Sequence, residues 1–515
     1  MAIAGIINIA DLASYRESNR IEAKKAKAQI PGSVWETYSS FANTEGGIIL
    51  LGVEELQDHS LVATGVEDVQ KLKQDFWNQI NNPQKVSVNI LLEKMVHEER
   101  VDEKDILVIE VPRADRTLRP IYIGNNPLSG TYRRNGDGDY HCNKEQVSAM
   151  LRDASEVTQD RRVLTDMDNT IFCMDTVKDY RNRFQQLHST HVWNKDDDEL
   201  FLRHLGAIAL SKDDQKFHPT VAGLLMFGYD YEITRELPHY FLDYREELDP
   251  QLRWTHRLVS NSGDWSGNLY DFFFRVYPRL AADIPVPFAL QNGMTRIDEP
   301  ASHLAVREFL LNTLVHADHY GRQGIVIRRS LTELHFANPG DFRVDLESAL
   351  QGGNSDPRNT FIMKMFGLVG VGDRAGSGMP DAIAVMENEL KGKVNYTVTH
   401  DPDRTTLDVI IGILVADDQS DDKVTIKAKS DDKSDDKATI KAKSDDKATI
   451  KAESDDKRTL ILDFMREKGE VKTDEIADFV GLRTTRVKEI LYEFLAEGLI
   501  ERQGSNRNRT YKIKR

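Results

Sequence analysis

The sequence predicts a multidomain protein of the mixed α/β class, in which helices and strands alternate over most of the chain. Three observations lead to this prediction. Strand-length apolar runs such as Ile48 to Val53 are mixed with helical periodicity through the front part of the chain. Residues 417–457 form a low-complexity stretch without aromatic residues, which separates that front part from a small domain at 458–515. The length of 515 residues is enough for about three domains.

Composition limits the classes of function. A hydrophobic content of 40% and a charged content of 30% are typical of a soluble globular protein. The formal charge of −16 excludes a uniformly basic coat, so any nucleic-acid binding must come from local basic patches. Cys142 and Cys173 are the only cysteines, which excludes a disulfide framework and a cysteine zinc site. Ile6 to Ala13 is too short to span a membrane, and we expect a cytoplasmic protein.

The first predicted domain, residues 1–155, opens with a strand, a helix and a second strand. Apolar and polar residues partly alternate from Glu22 to Ala28, which predicts a short strand. Pro31 is placed to open the helix, because a missing N–H costs nothing in the first turn. Asn43 to Gly47 ends it, since glycine accepts a left-handed cap. The apolar run from Ile48 to Val53 predicts a strand buried on both faces.

Three carboxylates accompany these elements: Glu17, Glu22 and Glu54. Divalent cations such as magnesium prefer oxygen ligands, and a bound metal lowers the pKa of its water. The pattern therefore suits metal-dependent hydrolysis, with Glu55 as a substitute for Glu54. The alternative is that Glu22 and Lys24 form a surface ion pair and that Glu54 is a solvated strand end.

The order Glu17-x4-Glu22-x-Lys24, followed by FANTEGG and a buried strand, resembles the Schlafen/AlbA-type nucleic-acid-binding domain. The resemblance implies an α/β domain that binds nucleic acid. In nucleolytic Schlafen members, carboxylates at the positions of Glu17, Glu22 and Glu54 bind a divalent metal and cleave RNA. A magnesium or manganese site in this chain is therefore an implication of the resemblance.

The segments RPIYIG and GTYRRNGDGDYHC are similar to the closing hairpin of the same family. Interleaved arginine and tyrosine suit phosphate contacts and base stacking. Arg133 and Arg134 are adjacent, so on a strand they point to opposite faces and only one can line a given groove. A hairpin with ordinary outward-facing arginines is the alternative. The nucleic-acid contacts implied here are Lys24, Arg119, Arg133 and Arg134.

Residues 156–285 predict a connector region of charged and amphipathic helices with a strand at His239 to Tyr244, and residues 286–416 carry a second set of motifs. Glu308 and Asn312 are four apart and share one helix face, which suits a general base beside a metal ligand. Further motifs are Asn338-Pro-Gly340, and Gly376-Ser-Gly378 before a helical stretch, where backbone N–H groups can reach phosphate.

This set resembles the histidine-kinase-like (GHKL) ATP-binding domain, an α/β sandwich found in RecG-like regulators behind a Schlafen/AlbA-type domain. The resemblance implies that ATP is bound with magnesium on Asn312 and that Glu308 orients the attacking water. It also places Gly376 and Gly378 under the phosphates, and Asn338 and Gly340 at the adenine. One departure is that asparagine replaces the usual acid of the Asp-x-Gly motif. A degenerate fold kept for structure or dimer contacts is the alternative.

In the linker 417–457, Ser-Asp-Asp-Lys recurs five times, and we expect a mobile, charge-balanced tether, with a short β-stack as the alternative. Residues 458–515 predict three helices and two strands around a polar wing, which resembles the winged helix-turn-helix of transcription regulators. The resemblance implies base readout by the third helix and backbone or minor-groove contacts by the wing. The alternative is a winged helix that binds only protein. The residues concerned are Arg483, Thr485, Arg486 and Lys488 on the helix and Arg507 and Arg509 on the wing.

Together these resemblances imply an ATP-responsive, DNA-binding transcriptional regulator that forms a homo-oligomer, with DNA favoured over RNA. A metal-dependent endoribonuclease acting in defence or tRNA cleavage is the enzyme alternative, and an oligomeric scaffold is the third. No Gly-x4-Gly-Lys-Ser/Thr loop is present, so a helicase is not predicted. Convergence of the three carboxylates would favour the nuclease over the regulator.

Overall fold

The structure of the chain is a computed structural model. It divides into two compact units, residues 1–417 and 418–515. In the first unit the described residues are 12, 15–282, 284, 290–291, 295–296, 300–353, 355–372 and 378–412, and in the second they are 461, 464–466, 468–480, 487, 491, 494, 500–503 and 510–513.

The first domain is built on a four-stranded sheet in the order β1-β2-β6-β5. Strands β1 (Ile21–Lys24) and β2 (Gly47–Leu51) are parallel, and α1 (Val34–Asn43) connects them. Strands β6 (Lys104–Val111) and β5 (Val96–Val101) continue the sheet antiparallel. The predicted strand–helix–strand order is therefore confirmed, and the chain belongs to the predicted mixed α/β class.

Two helices cover one face of this sheet. Trp35, Tyr38 and Phe41 of α1 are buried there, as their helical spacing predicts. Trp35 stacks on Phe76 of α2 (Val69–Ile80), with ring centroids 5.5 Å apart. The helix α1 begins at Val34 and not at Pro31, because the residues between them form a turn in which the Val34 N–H donates to the Pro31 carbonyl at 3.1 Å.

The apolar run after α1 is two strands and not one. Gly52 has a φ of +88°, and a Cβ there would lie 2.9 Å from the Val66 side chain, so the chain turns at this glycine. Strand β3 (Val53–Glu55) leaves the main sheet and pairs with β4 (Leu61–Ala63). Glu54 thus lies on a two-stranded ribbon beside the sheet and not at the end of its buried strand.

A hairpin and two helices complete the first domain. Strand β7 (Tyr132–Asn135) pairs with β8 (Gly138–His141), as the sequence predicts for this segment. The helix α3 (Pro127–Gly130) precedes the hairpin and α4 (Lys144–Ala154) follows it. Asn43, at the end of α1, is buried and bonds to the Ile121 amide and carbonyl and to the Tyr132 carbonyl, which fastens the hairpin to the helix.

The next part of the chain forms a single domain, here called the central domain, because one hydrophobic core runs from Leu164 to Val409. Its sheet has six strands in the order β12-β11-β15-β16-β18-β17, and only β11 and β15 are parallel. The strands are β11 (Leu242–Glu247), β12 (His256–Val259), β15 (Ile325–Ser330), β16 (Glu333–Pro339), β17 (Lys393–His400) and β18 (Asp403–Ile410).

Strands β11 and β12 come from the region predicted as a connector. The boundary predicted at residue 285 therefore runs through one sheet, since strands on both sides of it are hydrogen-bonded to each other. Short ribbons β9 (Ile208–Leu210) with β10 (Phe217–Pro219) and β13 (Leu290–Gln291) with β14 (Thr295–Arg296) also belong to this domain. Its helices are α5 (Met174–Leu187), α6 (Asp198–Leu205), α7 (Val221–Phe227), α8 (Asp230–Glu236), α9 (Leu269–Ala281), α10 (Ala301–Val315), α11 (Leu346–Gln351), α12 (Thr360–Leu368) and α13 (Gly378–Ala384).

The two faces of the six-stranded sheet differ in polarity. Helices pack on one face, where Phe309 of α10 lies 6.0 Å from Phe336 of β16 between ring centroids. The other face carries partly exposed polar side chains, among them Arg328, His335 and Asp408 on neighbouring strands. Among the described residues, no helix is long and apolar enough to cross a membrane.

In the second unit, the described residues include a three-stranded antiparallel sheet in the order β19-β21-β20 and the helix that follows its first strand. These elements are β19 (Glu470–Val471), α14 (Thr473–Val480), β20 (Ile500–Gln503) and β21 (Thr510–Ile513). Ile461, Phe464, Val487 and Leu491 are among the residues of its core. The winged helix stays a prediction. Its contact residues Arg483, Thr485, Arg486, Lys488, Arg507 and Arg509, together with the linker 417–457, lie outside the described residues.

We expect Asn43→Ala to destabilise the first domain by about 3 kcal/mol, because it removes three hydrogen bonds to the backbone and leaves the buried Ile121 N–H without its acceptor. Hydrogen exchange of the β2 amides measures this, since a multidomain chain does not unfold in two states. The control is Asn81→Ala at the exposed end of α2, for which we expect a change within about 0.5 kcal/mol. Equal effects of the two substitutions would contradict the structural role of Asn43.

Candidate nucleic-acid interface and nucleotide pocket

The carboxylates predicted to bind metal lie on β1, on β3 and just before β1. Glu22 is buried, and its carboxylate is held by Arg134 Nη2 at 2.7 Å and by Lys24. Glu17 Oε1 accepts a hydrogen bond from the Ala23 N–H at 3.0 Å. Burial raises the pKa of Glu17, and the nearby negative charges of Glu22 and Glu55 raise it further. Glu17, Glu22 and Glu55 are thus close enough to interact electrostatically.

Glu54 has a different environment, because the turn at Gly52 carries it away on the β3–β4 ribbon. Its carboxylate pairs with Lys25 Nζ at 2.7 Å. Within the part of the chain that the structure describes, the only three ligating side chains with atoms all within 4.8 Å of one another are Glu333, His335 and Asp408, on the polar face of the central sheet. The predicted convergence of Glu17, Glu22 and Glu54 on one metal is therefore not found.

Three of the arginines predicted to contact nucleic acid are enclosed by protein. Arg134 is only 3% exposed and donates to the Ser18 carbonyl at 2.8 Å and to Asp139 at 2.9 Å, besides Glu22. Arg133 points the other way, as strand geometry requires, and pairs with Asp403 of the central domain. Arg119 is 6% exposed, with Asp341 as its nearest carboxylate at 4.0 Å.

Lys24 is the one predicted contact of the first domain that is partly exposed, and sequence reasoning missed its neighbours Lys25 and Lys27. Both lie just after β1 and are exposed. These three lysines lie at the end of β1, which is an edge strand of the sheet. Their clustering is visible in the sequence as KKAK, but the exposure that makes them available is a tertiary property.

Arg119 and Arg133 belong to a larger set of charges between the first domain and the central domain, here called the arginine–aspartate junction. Arg358 makes a bidentate pair with Asp153, with both distances at 2.8 Å. Arg152 pairs with Asp318 at 2.8 Å. The junction consists of Arg113, Arg116, Arg119, Arg133, Arg152, Arg343 and Arg358 with Asp153, Asp318, Asp341, Asp356 and Asp403.

The pKa values in the junction follow from burial together with its excess of positive charge. Burial alone would raise the pKa of Asp341, but Arg113, His400 and Arg119 outweigh it and hold that pKa well below the ordinary value. Burial, assisted by repulsion from Arg113, lowers the pKa of the Arg119 guanidinium to about 10. Burial also lowers the pKa of Arg343 to about 10. Asp341 is therefore fully charged at neutral pH, in a junction where arginines outnumber aspartates.

A pocket opens on the central domain beside this junction. As predicted, Glu308 and Asn312 of α10 share one helix face, and Asn312 Nδ2 donates to Glu308 Oε1 at 2.7 Å. The second amide proton goes to the Glu308 carbonyl at 2.9 Å, so the oxygen of Asn312 is the atom suited to coordinate a cation. Gly378 also lines the pocket, and a Cβ at this position would overlap the Glu308 carboxylate. Gly376 lies outside the described residues.

The Asn338-Pro-Gly340 motif forms another part of the pocket wall. Asn338 is buried at the end of β16 and lines the pocket. Gly340 has a φ of +102°, and its N–H donates to the Asp403 carbonyl at 2.9 Å. Its carbonyl accepts from Thr405 Oγ1 at 2.8 Å. The predicted residues Glu308, Asn312, Asn338 and Gly378 are thus brought to one pocket, whereas Gly340 anchors the loop behind it.

Sequence reasoning missed another part of the pocket wall, to which Asp341, Phe342, Arg343 and Asp356 belong. Asp341 and Phe342 are held by Arg113 of the first domain, 228 and 229 residues away in the chain. No local pattern could have linked segments so far apart, because the pairing depends on how the two domains meet.

The comparison with known protein families supports the Schlafen/AlbA-type assignment of the first domain. Residues 17–143 match the family described as Schlafen, AlbA_2, and residues 148–243 match a domain of unknown function, DUF8451. Residues 17–143 are therefore a Schlafen AlbA_2 domain. No curated protein matches the chain.

Two solved structures are similar to parts or all of the chain. The DIP2311 protein of Corynebacterium diphtheriae is 15% identical, covering 96% of this chain and 95% of its own, with a TM-score of 0.37. The N-terminal domain of a Nitrosomonas europaea protein, named as related to the ATP-dependent DNA helicase RecG, is 32% identical. That likeness covers 27% of this chain and 94% of that domain, with a TM-score of 0.21. Both TM-scores are too low to define a shared overall arrangement.

Because two histidines beside the junction have lowered pKa values, we expect the folding stability of the central domain to depend on pH. Burial lowers the pKa of His316 to about 4, with Arg358 and Arg343 adding to the effect, and burial lowers that of His319 to about 4. The unfolded chain takes up these protons below about pH 6.5, whereas the folded protein does so only near pH 4. Stability should therefore fall as the pH falls from about 6.5 to about 4, by about 1.4 kcal/mol per pH unit for each histidine.

We expect His319→Gln to remove its share of this slope, measured by hydrogen exchange of the β16 amides between pH 7 and pH 4.5. The matched control is His59→Gln, because His59 is exposed on the β3–β4 ribbon. An unchanged slope in His319→Gln would contradict the assignment of the pH dependence to this buried ring.

Proposed function

We propose that this protein is a nucleic-acid-binding regulator with DNA as its target, and that ATP bound with magnesium or manganese in the pocket of the central domain sets its state. The observation that carries nucleic-acid binding is the match of residues 17–143 to the Schlafen AlbA_2 family. A winged helix at 458–515 would add a second DNA contact. Homo-oligomer formation remains part of the same proposal.

The lysines at the end of β1 are the proposed phosphate contacts of the first domain. Lys25 and Lys27 are exposed, and Lys24 is partly exposed beside them. Phosphate contacts by such side chains supply sequence-independent, salt-dependent affinity. A local patch of this kind is what a chain with a formal charge of −16 requires. The arginines of the hairpin do not contribute, because their guanidinium groups are buried as well as paired, whereas the side chain of Lys25 is 53% exposed although it is paired with Glu54.

The double substitution Lys25→Gln/Lys27→Gln should weaken binding to a short DNA duplex and reduce its salt dependence. The slope of log K against log salt falls by about 0.9 for each lysine–phosphate ion pair that the substitution removes. Fluorescence anisotropy across a salt series measures both quantities. The control is Lys178→Gln/Lys212→Gln, which makes the same charge change on exposed lysines of the central domain. Equal behaviour of the two variants would exclude the β1 lysines, and tighter binding of RNA than DNA would overturn the choice of target.

Nucleotide binding is supported by the donor set of the pocket. Asn312 offers an amide oxygen and Glu308 a carboxylate, which are the ligand types that magnesium prefers, and Gly378 leaves room beside them. Asn338 can hydrogen-bond to an adenine edge through its carboxamide, as the GHKL resemblance implies. When bound, the cation would neutralise phosphate charge. Asn312 would hold that cation, and Glu308 would orient Asn312 and the water next to the phosphate.

We expect Asn312→Ala to lower the magnesium-dependent affinity for ATP at least about tenfold, since the amide oxygen is removed from the metal shell. Glu308→Gln should keep binding and reduce any hydrolysis, because it retains an acceptor for Asn312 but cannot act as a base. Calorimetry at millimolar nucleotide measures the affinity. Asn395→Ala is the matched control, because Asn395 is paired in register with Asp408 on the polar face of the same sheet. A wild-type protein that binds no ATP would overturn this part of the proposal.

The endoribonuclease alternative is not favoured by this arrangement. A metal held by Glu17, Glu22 and Glu54 would have to displace Lys24 and Arg134 from Glu22 and Lys25 from Glu54. The raised pKa of Glu17 is explained by burial and by the charges of Glu22 and Glu55.

A further inference from the structure

The wall of the nucleotide pocket that faces the first domain is not held by the central domain alone. Asp341, Phe342 and Arg343 follow β16, Asp356 precedes α12, and all four line the pocket. The ring of Phe342 meets Tyr396 edge to face, with centroids 5.6 Å apart, so an aromatic pair stands in this wall. The position of this wall therefore determines the shape of the part of the pocket that does not contain Glu308 and Asn312.

The polar atoms of this wall are bonded to the AlbA_2 domain and to the helix α4 behind it. Arg113 Nη2 donates to Asp341 Oδ2 at 2.9 Å and to the Phe342 carbonyl at 2.7 Å. Arg116 pairs with Asp356 and also donates to the Asp153 carbonyl at 2.7 Å. One short segment of the first domain thus holds both segments of the wall.

These contacts are strong because they are buried and charged. The Arg113 side chain is only 13% exposed and that of Asp341 8% exposed, so water screens their ion pair little. Replacing one partner leaves the other charge buried without compensation, which is the condition under which such a pair matters most. The wall would then have to move in order to hydrate Asp341.

We infer that Arg113 is a positioning residue of the nucleotide pocket: the AlbA_2 domain completes the pocket by fixing the Asp341–Phe342 wall through this arginine. This role rests on the proposed nucleotide binding. Arg113 itself makes no contact with the nucleotide, and the pocket is a joint product of two domains. Because coupling between two sites is reciprocal, nucleotide in the pocket should in turn tighten the junction with the AlbA_2 domain.

The two ends of a bound nucleotide would depend on different parts of the pocket. The Glu308–Asn312 end would hold the cation and the phosphates, whereas the Asp341–Phe342 wall would shape the space for the base and sugar. Removal of the Arg113 guanidinium should therefore affect ATP and leave inorganic tripolyphosphate unaffected. General unfolding of the domain would weaken both ligands together.

The experiment compares the full chain with Arg113→Gln and Arg113→Lys in calorimetry with magnesium ATP and with magnesium tripolyphosphate. For Arg113→Gln we expect ATP affinity to fall about tenfold, the effect of removing about one charge-assisted hydrogen bond, with tripolyphosphate affinity unchanged. Arg113→Lys should restore part of the ATP affinity, because an ammonium can keep one of the two hydrogen bonds. Arg100→Gln is the control, since Arg100 lies on β5 of the same domain with a side chain 69% exposed.

Asp341→Asn provides a second variant that keeps the shape of the wall, and we expect the same selective decrease of ATP affinity. Wild-type affinity for ATP in both Arg113→Gln and Asp341→Asn would overturn the inference and leave the proposed nucleotide binding intact. A parallel decrease for ATP and tripolyphosphate, accompanied by a lower melting temperature, would also overturn it. A wild-type chain that binds neither ligand would overturn the proposed nucleotide binding itself, together with the inference that rests on it.

Discussion

The buried ion pair between Arg113 and Asp341 is the interaction on which the contact between the AlbA_2 domain and the pocket wall depends. Removing charges from water is costly, and a buried pair is tolerated only where geometry and additional hydrogen bonds offset that cost. Here Arg113 also donates to the Phe342 carbonyl, and the pair belongs to a junction in which Arg358 binds Asp153 through two bonds. The junction therefore determines how the AlbA_2 domain and the pocket of the central domain meet.

This use of arginine decides where a nucleic acid can be bound. In a protein with a formal charge of −16, every exposed cation matters, yet the guanidinium groups of Arg119, Arg133 and Arg134 are directed into the protein. The exposed charges near β1 are lysines, whose compact ammonium groups suit contacts with a phosphate backbone that do not depend on base sequence. The same distribution leaves Glu22 neutralised by Lys24 and Arg134, two cations that a metal ion at this carboxylate would have to displace.

Much of the fold and one part of the pocket could be predicted, because they depend on short-range periodicity. The spacing of Trp35, Tyr38 and Phe41 identified the buried face of α1, and the four-residue spacing of Glu308 and Asn312 brought both to one side of α10. Predictions failed where one residue redirected the chain: the turn at Gly52 divided an apolar run that looked continuous. The strand predicted at His239 to Tyr244 was placed in a connector and not in the central sheet, because β15, the partner of β11 in that sheet, lies far along the chain.

The sequence by itself determined the mixed α/β class, the AlbA_2 domain in the first part of the chain and the pairing of Glu308 with Asn312. Each of these depends only on the local order and spacing of residues. Only the tertiary structure decided which charged side chains face water and which face each other. Arg113 and Asp341 are separated by 228 residues, and their ion pair exists because two domains are packed together. Exposure and long-range charge pairing are properties of that packing, and no pattern within a single segment encodes them.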